Sequence, residues 1–373
     1  MRAEPGTVLG TRALNRALLA RQLLLRKEKR PVLEVVAHLA GLQAQAPWPP
    51  YYQLWSRIKD FEPGELAGCL LDRSAVRIVV MRGTVHLVTA EDARFLRAAV
   101  QPVMDRDLSG NPTLRPKIAG IDHAELVGAA VEALAAEPLT GARLGAELGR
   151  RWPDRDRSAL VHAARNLLPL VQVPPRAVWG RSGQPTFATV RQWLGAPLDP
   201  DPDLGRLVLR YLAAFGPATV MDVQAWCGLT RLGEVVDRLR PELVTFRTTD
   251  GRELFDLPDA PRPDPATPAP VRYVAEFDNL ILSHADRSRV ISEEYRRRIT
   301  TVNGIFPGTI LVGGFVRGTW RIERAKDRAE LLVTPFEAIS KRDTAALKAE
   351  GRRLLFFATG GSGAPEVRLL PPG

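Results

Sequence analysis

The sequence predicts an α+β fold in which three tandem winged-helix units form a mainly helical body and a small β-barrel domain follows them. Three observations predict it. Helical segments followed by two short strands around a polar or glycine turn recur three times, which is the layout of a winged helix. Six prolines within residues 258–270 then forbid regular structure. Beyond them, short alternating apolar runs replace most of the helical spacing.

In the first unit (residues 1–115), apolar periodicity places helices near residues 14–25, 31–40 and 64–71. Strands at 76–81 and 85–88 flank a turn at Arg82-Gly83-Thr84, and Thr89 with Glu91 and Asp92 starts a helix through Val100. The second unit (116–200) repeats this with helices at 124–136, 140–152 and 157–170. Its wing is expected at 177–190, turning at Arg181-Ser182-Gly183-Gln184. In the third (201–258), helices at 204–215, 219–227 and 230–240 precede a hairpin whose Asp250-Gly251 is a strong turn signal. After the extended linker (259–270), strands at 271–276, 279–283, 309–312, 315–322 and 331–333, a helix at 341–355 and a last strand near 367–370 make the C-terminal domain (271–373).

Composition limits the function. With 373 residues and 45% hydrophobic content, the chain exceeds one core but can fill several. Lys and Arg outnumber Asp and Glu by 52 to 42, and the pI near 10.1 favours a polyanionic partner. Cys69 and Cys227 lie far apart without ligand-spaced neighbours, so neither a disulfide framework nor a metal site is expected. Arg16 and Arg21 interrupt the N-terminal apolar stretch, and no run reaches spanning length, so a cytoplasmic protein without membrane contact is expected.

Gln43 and Gln45 are the candidates for chemistry. Val32, Val35, Val36 and Leu39 mark a core helix after Pro31, and Pro47, Pro49 and Pro50 forbid its continuation. If the backbone is extended from Gly41 onward, residues two apart project to one side. The two amides would then face a common site, although the same residues also fit polar groups that bond local carbonyls at a helix end.

Gly41-Leu42-Gln43-Ala44-Gln45-Ala46-Pro47, taken with Arg82-Gly83-Thr84-Val85-His86-Leu87-Val88 and Asp278-Asn279-Leu280-Ile281-Leu282-Ser283-His284-Ala285-Asp286-Arg287, resembles the bacterial winged-helix DNA glycosylases of the AlkZ type. The three motifs occur in the expected order, and the resemblance runs from about Leu14 to the C-terminus. It implies three winged helices bent into a C shape and closed by a C-terminal barrel. It also implies hydrolysis of the N-glycosidic bond of N7-alkylguanine lesions. Because the site offers amides to water and no identified lysine nucleophile, the activity expected is monofunctional and without cofactor, on bulky lesions that are either monoadducts or interstrand crosslinks. Some members protect antibiotic producers from their own DNA-alkylating product.

In that family the Gln-apolar-Gln triplet is catalytic, and relatives carry Asp at the position of Gln45. A neutral amide cannot take a proton as a carboxylate does, so Gln45 would orient and polarise a water through its carbonyl. Gln43 would hold the same water or the deoxyribose. An N7-alkylguanine is already cationic and leaves as a neutral molecule, so the barrier falls chiefly by placing water against the anomeric carbon. A bulky or crosslinked base cannot swing freely, which predicts an open groove rather than a deep closed base pocket.

Further candidates for DNA contact surround this pair. Strand alternation would send Arg82, Thr84 and His86 to one face, toward a phosphate or sugar. Trp48 would stack on a base, and Asn279, His284 and Arg287 would form a polar network at the domain junction. A hairpin turning at Gly313-Gly314 would enter the minor groove with Phe315 as a wedge and Arg317 on the backbone. Each of these residues also fits an ordinary packing role. The expected partner is double-stranded DNA carrying bulky alkyl-purine lesions, bound by a monomer in the nucleoid. The competing reading is a non-enzymatic winged-helix protein: a regulator reading major grooves with residues 157–170 or 230–240, or a lesion-sequestering protein.

Overall fold

The computed structural model describes residues 6–300, 306–325, 328–361 and 366–373. Helices begin where a short oxygen-bearing side chain precedes apolar spacing. Thr89, Asp122, Asp156, Asp203 and Thr219 each accept a bond from the first-turn amides of the helix they open. The first unit holds helices Thr11–Arg21, Val32–His38, Pro49–Trp55, Pro63–Leu71 and Ala90–Ala99. Pro49–Trp55 is not foreseen by the sequence reading. The preceding helix ends at His38, well before Pro47, and Pro49 and Pro50 instead open a new helix, because a first-turn proline lacks only an amide hydrogen that needs no helical partner.

The second unit contributes helices His123–Leu134, Gly141–Arg151 and Arg157–Leu167. Its wing differs from expectation. Strand Leu170–Gln172 pairs with Thr186–Thr189, and residues between them form a long loop carrying Trp179. Pro169 cannot continue a helix, so the chain turns to strand there rather than near residue 177. The same strand pairs with Ala75–Val79 through Arg77 opposite Gln172 and Ile78 opposite Val171. The first two wings therefore form one six-stranded sheet. Its order is Leu42–Gln43, Val85–Thr89, Ala75–Val79, Leu170–Gln172, Thr186–Thr189, Leu139–Thr140.

The third unit follows its expected layout, with helices Leu204–Phe215, Val220–Cys227 and Gly233–Leu239 and the hairpin Val244–Thr248 with Glu253–Asp256. Val8–Leu9 adds a parallel edge strand to it. Residues 258–270 form no regular element, but they are strapped down. Arg12 Nε donates to Pro265 O at 2.7 Å and Arg16 Nε to Thr267 O at 2.6 Å.

Five strands make the C-terminal sheet, in the order Arg272–Val274, Gly308–Val312, Phe315–Ala325, Arg328–Pro335, Glu366–Leu369. Helix Lys341–Thr359 packs against it, giving a small barrel-like domain. Residues 279–283, expected as a strand, are instead the short helix Asn279–Leu282, because the Asp278 carboxylate accepts from Leu280 N and sets a helical start. One apolar core runs from Leu18 and Val88 through Tyr211 to Ile310 and Leu354. The second unit keeps its own around Leu126, Leu144 and Leu160.

Candidate active site

The chain leaves helix Val32–His38 through Ala40 and Gly41, both at positive φ (52° and 96°), and enters strand Leu42–Gln43. A Cβ on Gly41 would lie 2.7 Å from Val88 Cγ1, so glycine alone fits this exit. Three buried side chains then clasp the motif's carbonyls. Asn279 Nδ2 donates to Gly41 O at 2.7 Å, Gln53 Nε2 to Gln43 O at 3.0 Å and Arg77 Nη2 to Ala44 O at 2.7 Å. Burial pushes Arg77 down to about 10, with Arg176 adding repulsion, so it remains a cation at neutral pH. Gln53 and Arg77 carry no sequence signal of this role, because the bonds are to backbone that folding brings to them.

The two glutamines differ in exposure. Gln43 is buried in the strand opposite His86, and its Oε1 accepts from Arg82 Nη2 at 2.7 Å. Gln45 is exposed, and its Oε1 accepts from Val85 N at 3.3 Å. A carbonyl oxygen has two acceptor positions, so one remains on Gln45 to receive a hydrogen bond from water.

Arg82, Thr84 and His86 do not share a face. Arg82 sits at φ 56° inside a tight turn, where strand alternation does not operate. Its guanidinium also bonds Trp226 O of the third unit, and burial first, with the nearby Arg287 second, pushes its pKa down to about 10. Thr84 Oγ1 donates to Met81 O at 3.0 Å. His86 is fully buried with Nδ1 on Thr84 O at 3.0 Å, so it is a core residue rather than a phosphate contact.

Burial, then Arg82, pushes His86 down to about 3 from an ordinary 6.5. The folded protein keeps this ring neutral while the unfolded chain protonates it, so its contribution is full above pH 6.5 and lost as pH falls toward 3. His284, also buried, shifts in the same direction. The urea midpoint is expected to fall between pH 7 and pH 4.5. The share from His86 is about 2–3 kcal/mol at the lower pH, and His86→Gln should flatten that slope measurably; an unchanged slope would refute the assignment.

The remaining candidates disperse. Asn279 is buried on the motif backbone, and His284 is buried with Nε2 donating to Phe215 O at 3.1 Å, so both hold the domain junction rather than DNA. Arg287 is half-buried beside Arg82, 5.7 Å from the Phe306 ring. The Gly313-Gly314 turn does not project. Asn15 Nδ2 donates to Gly314 O at 2.8 Å and Arg16 Nη2 to Gly313 O at 3.1 Å, which docks the tip on helix Thr11–Arg21. Phe315 is half-buried behind it and Arg317 pairs with Glu337 at 2.9 Å, so neither is posed as a wedge or a free backbone contact.

Trp48, 37% exposed, instead lines a cleft of about 560 Å³ directly after the motif, with Ala46, Tyr52, Trp179, Trp320, Arg321 and Arg324. Neither glutamine lines it. Beyond Trp179 and Phe357 lies a second groove of about 1050 Å³, where Arg26 and Lys27 of the first basic run join Lys59, Arg272, Arg352 and Arg353. The run Arg296-Arg297-Arg298 takes no part in it: the first two pair with Glu293 and the third lies 4.5 Å from the Phe336 ring. Among the described residues no His, Cys, Asp and Glu cluster could hold a metal, and no helix is long and apolar enough to cross a membrane.

A family model for DNA glycosylase AlkZ-like proteins matches residues 36–357. The interstrand DNA cross-link repair glycosylase of Streptomyces sahachiroi is 27% identical over 165 residues, which is 41% of this chain and 42% of that protein. The alignment thus spans less than half of either. The solved structure of Streptomyces sahachiroi DNA glycosylase AlkZ superposes with a TM-score of 0.82 at 22% identity, covering 98% of this chain and 100% of that one. That likeness is one of fold.

Proposed function

Because the chain belongs to the AlkZ-like DNA glycosylase family, we propose that it is a monofunctional enzyme hydrolysing the N-glycosidic bond of bulky N7-alkylguanines in duplex DNA. Interstrand crosslinks are included, and the biological role is self-resistance to a DNA-alkylating natural product. The observation that carries this is Gln45: an exposed amide whose oxygen is held by Val85 N, on a backbone clasped from three sides. Its carbonyl can accept from a water and aim it at the anomeric carbon. The leaving guanine needs no proton, so an amide suffices where a carboxylate is absent.

Gln43 sits one step deeper and ties the motif to Arg82, whose guanidinium is spent on Gln43 Oε1 and Trp226 O, so of this arginine pair the half-buried Arg287 is the one left to meet a phosphate beside the lesion. The glutamines do not lie at the floor of the aromatic cleft, which supports attack on a lesion held in an open groove. The enzyme works as a monomer on DNA in the cytoplasm.

The regulator reading is weakened at the first of its two candidate recognition helices. In Arg157–Leu167, His162 Nε2 and Asn166 Nδ2 both engage Asp107 Oδ2 at 2.7 Å, so two of its base-reading side chains are committed within the protein. The test is base release from a duplex carrying one defined N7-alkylguanine, with the unmodified duplex as control. Release from the adduct alone is expected; binding of several bulky adducts without release would leave a sequestering protein.

A further inference from the structure

The cleft beside the motif is built from parts of the chain that no local pattern connects. Trp48 comes from the helix exit, Tyr52 from helix Pro49–Trp55, Trp179 from the second unit's loop and Trp320 from the C-terminal sheet. Trp179 is positioned deliberately: Tyr51 Oη accepts from Trp179 N at 3.1 Å and donates to Ala177 O at 2.7 Å. Trp320 Nε1 donates to Val274 O at 2.8 Å, which fixes the opposite wall.

The rings pack on one another edge to face, with centroids 5.9 Å apart for Trp48 and Trp179, 6.2 Å for Tyr52 and Trp179 and 5.9 Å for Tyr52 and Trp320. Trp48 meets Trp179 at 78°, and Tyr52 meets Trp179 and Trp320 at 68° and 71°, so no pair is stacked face to face. Arg321 and Arg324 stand at the rim with Glu276, a few polar groups around an apolar body. A volume of about 560 Å³ with that lining belongs to sites for drug-sized aromatic molecules.

Resting on the function proposed above, the geometry points to a specificity subsite: the cleft receives, by stacking, a flat aromatic group carried on the N7 substituent of the lesion. Its position decides the occupant. Ala46 and Trp48 stand one and three residues after Gln45 and both line the cleft, so a substituent extending from the guanine under attack reaches it, while the guanine itself stays at the glutamines outside it. Substrates would then be discriminated by what the alkylating agent leaves on the base, at a site apart from the bond being cut.

The test compares two duplexes, one with N7-methylguanine and one with an N7-guanine adduct bearing a flat polycyclic aromatic group. Affinity and single-turnover release are measured for wild type, Trp48→Ala and Trp48→Phe. Trp48 is partly exposed, so its truncation spares the core. The expected result is that the preference for the aromatic adduct falls about tenfold in Trp48→Ala and is largely kept in Trp48→Phe. An unchanged preference overturns the subsite, including the case where both duplexes weaken by one factor, because the ring would then contact a nucleobase common to both. If wild type releases neither adduct but its affinity preference still depends on Trp48, the hydrolase reading fails and the subsite stands.

Discussion

Gln45→Ala is expected to slow release of an N7-alkylguanine from duplex DNA by about a hundredfold or more under single-turnover conditions, with duplex affinity nearly unchanged. The side chain is exposed and makes one described bond, from Val85 N, so its loss removes little packing. What it removes is an acceptor fixed relative to the sugar. An unpositioned water must find the anomeric carbon by diffusion, and the entropy saved by holding it is forfeited. Gln45→Glu offers a complementary reading, because a carboxylate can take a proton and its activity should rise with pH through the carboxylate range. A Gln45→Ala protein that releases base at the wild-type rate would remove the amide from the mechanism.

The second large effect is on stability. Arg57 and Asp278 join the first unit to the C-terminal domain by two parallel bonds of 2.8 Å, and both side chains are fully buried. Asp278→Ala leaves the guanidinium without its counter-ion in the core, a loss of about 3–5 kcal/mol. Urea denaturation should show the midpoint falling accordingly. Asp278 also opens the short helix that presents Asn279 to Gly41, so the motif should loosen with it. Replacing both partners, Arg57→Met with Asp278→Leu, is expected to recover much of the stability, because no charge is then left buried. If Asp278→Ala unfolds at the wild-type midpoint, the pair does not hold the domains together.

Much of the site was readable before folding was considered. Valines at helical spacing mark the helix, Gly41 follows as its exit, and the two glutamines come next; the prolines beyond them proved to open a further helix rather than to end this one. The third unit was readable for the same reason: its helical spacing, its Asp-Gly turn and its alternating strands act over a few residues. The role of His86 was misread because alternation describes a strand, and the turn at Arg82 breaks the pattern before it reaches His86. The projecting hairpin was misread because a Gly-Gly turn looks the same whether solvent or helix Thr11–Arg21 lies beyond it.

By itself, then, the sequence determined most helices, the third unit's hairpin and the place of the two amides along the chain, since steric and capping preferences are local. Only the tertiary structure decided which groups meet those amides. The clasp of Asn279, Gln53 and Arg77, the shared six-stranded sheet and the cleft from Trp48 to Trp320 each join residues far apart in the chain. Such contacts are chosen by burying apolar area and satisfying buried polar groups over the whole molecule, and no short window of sequence contains that balance.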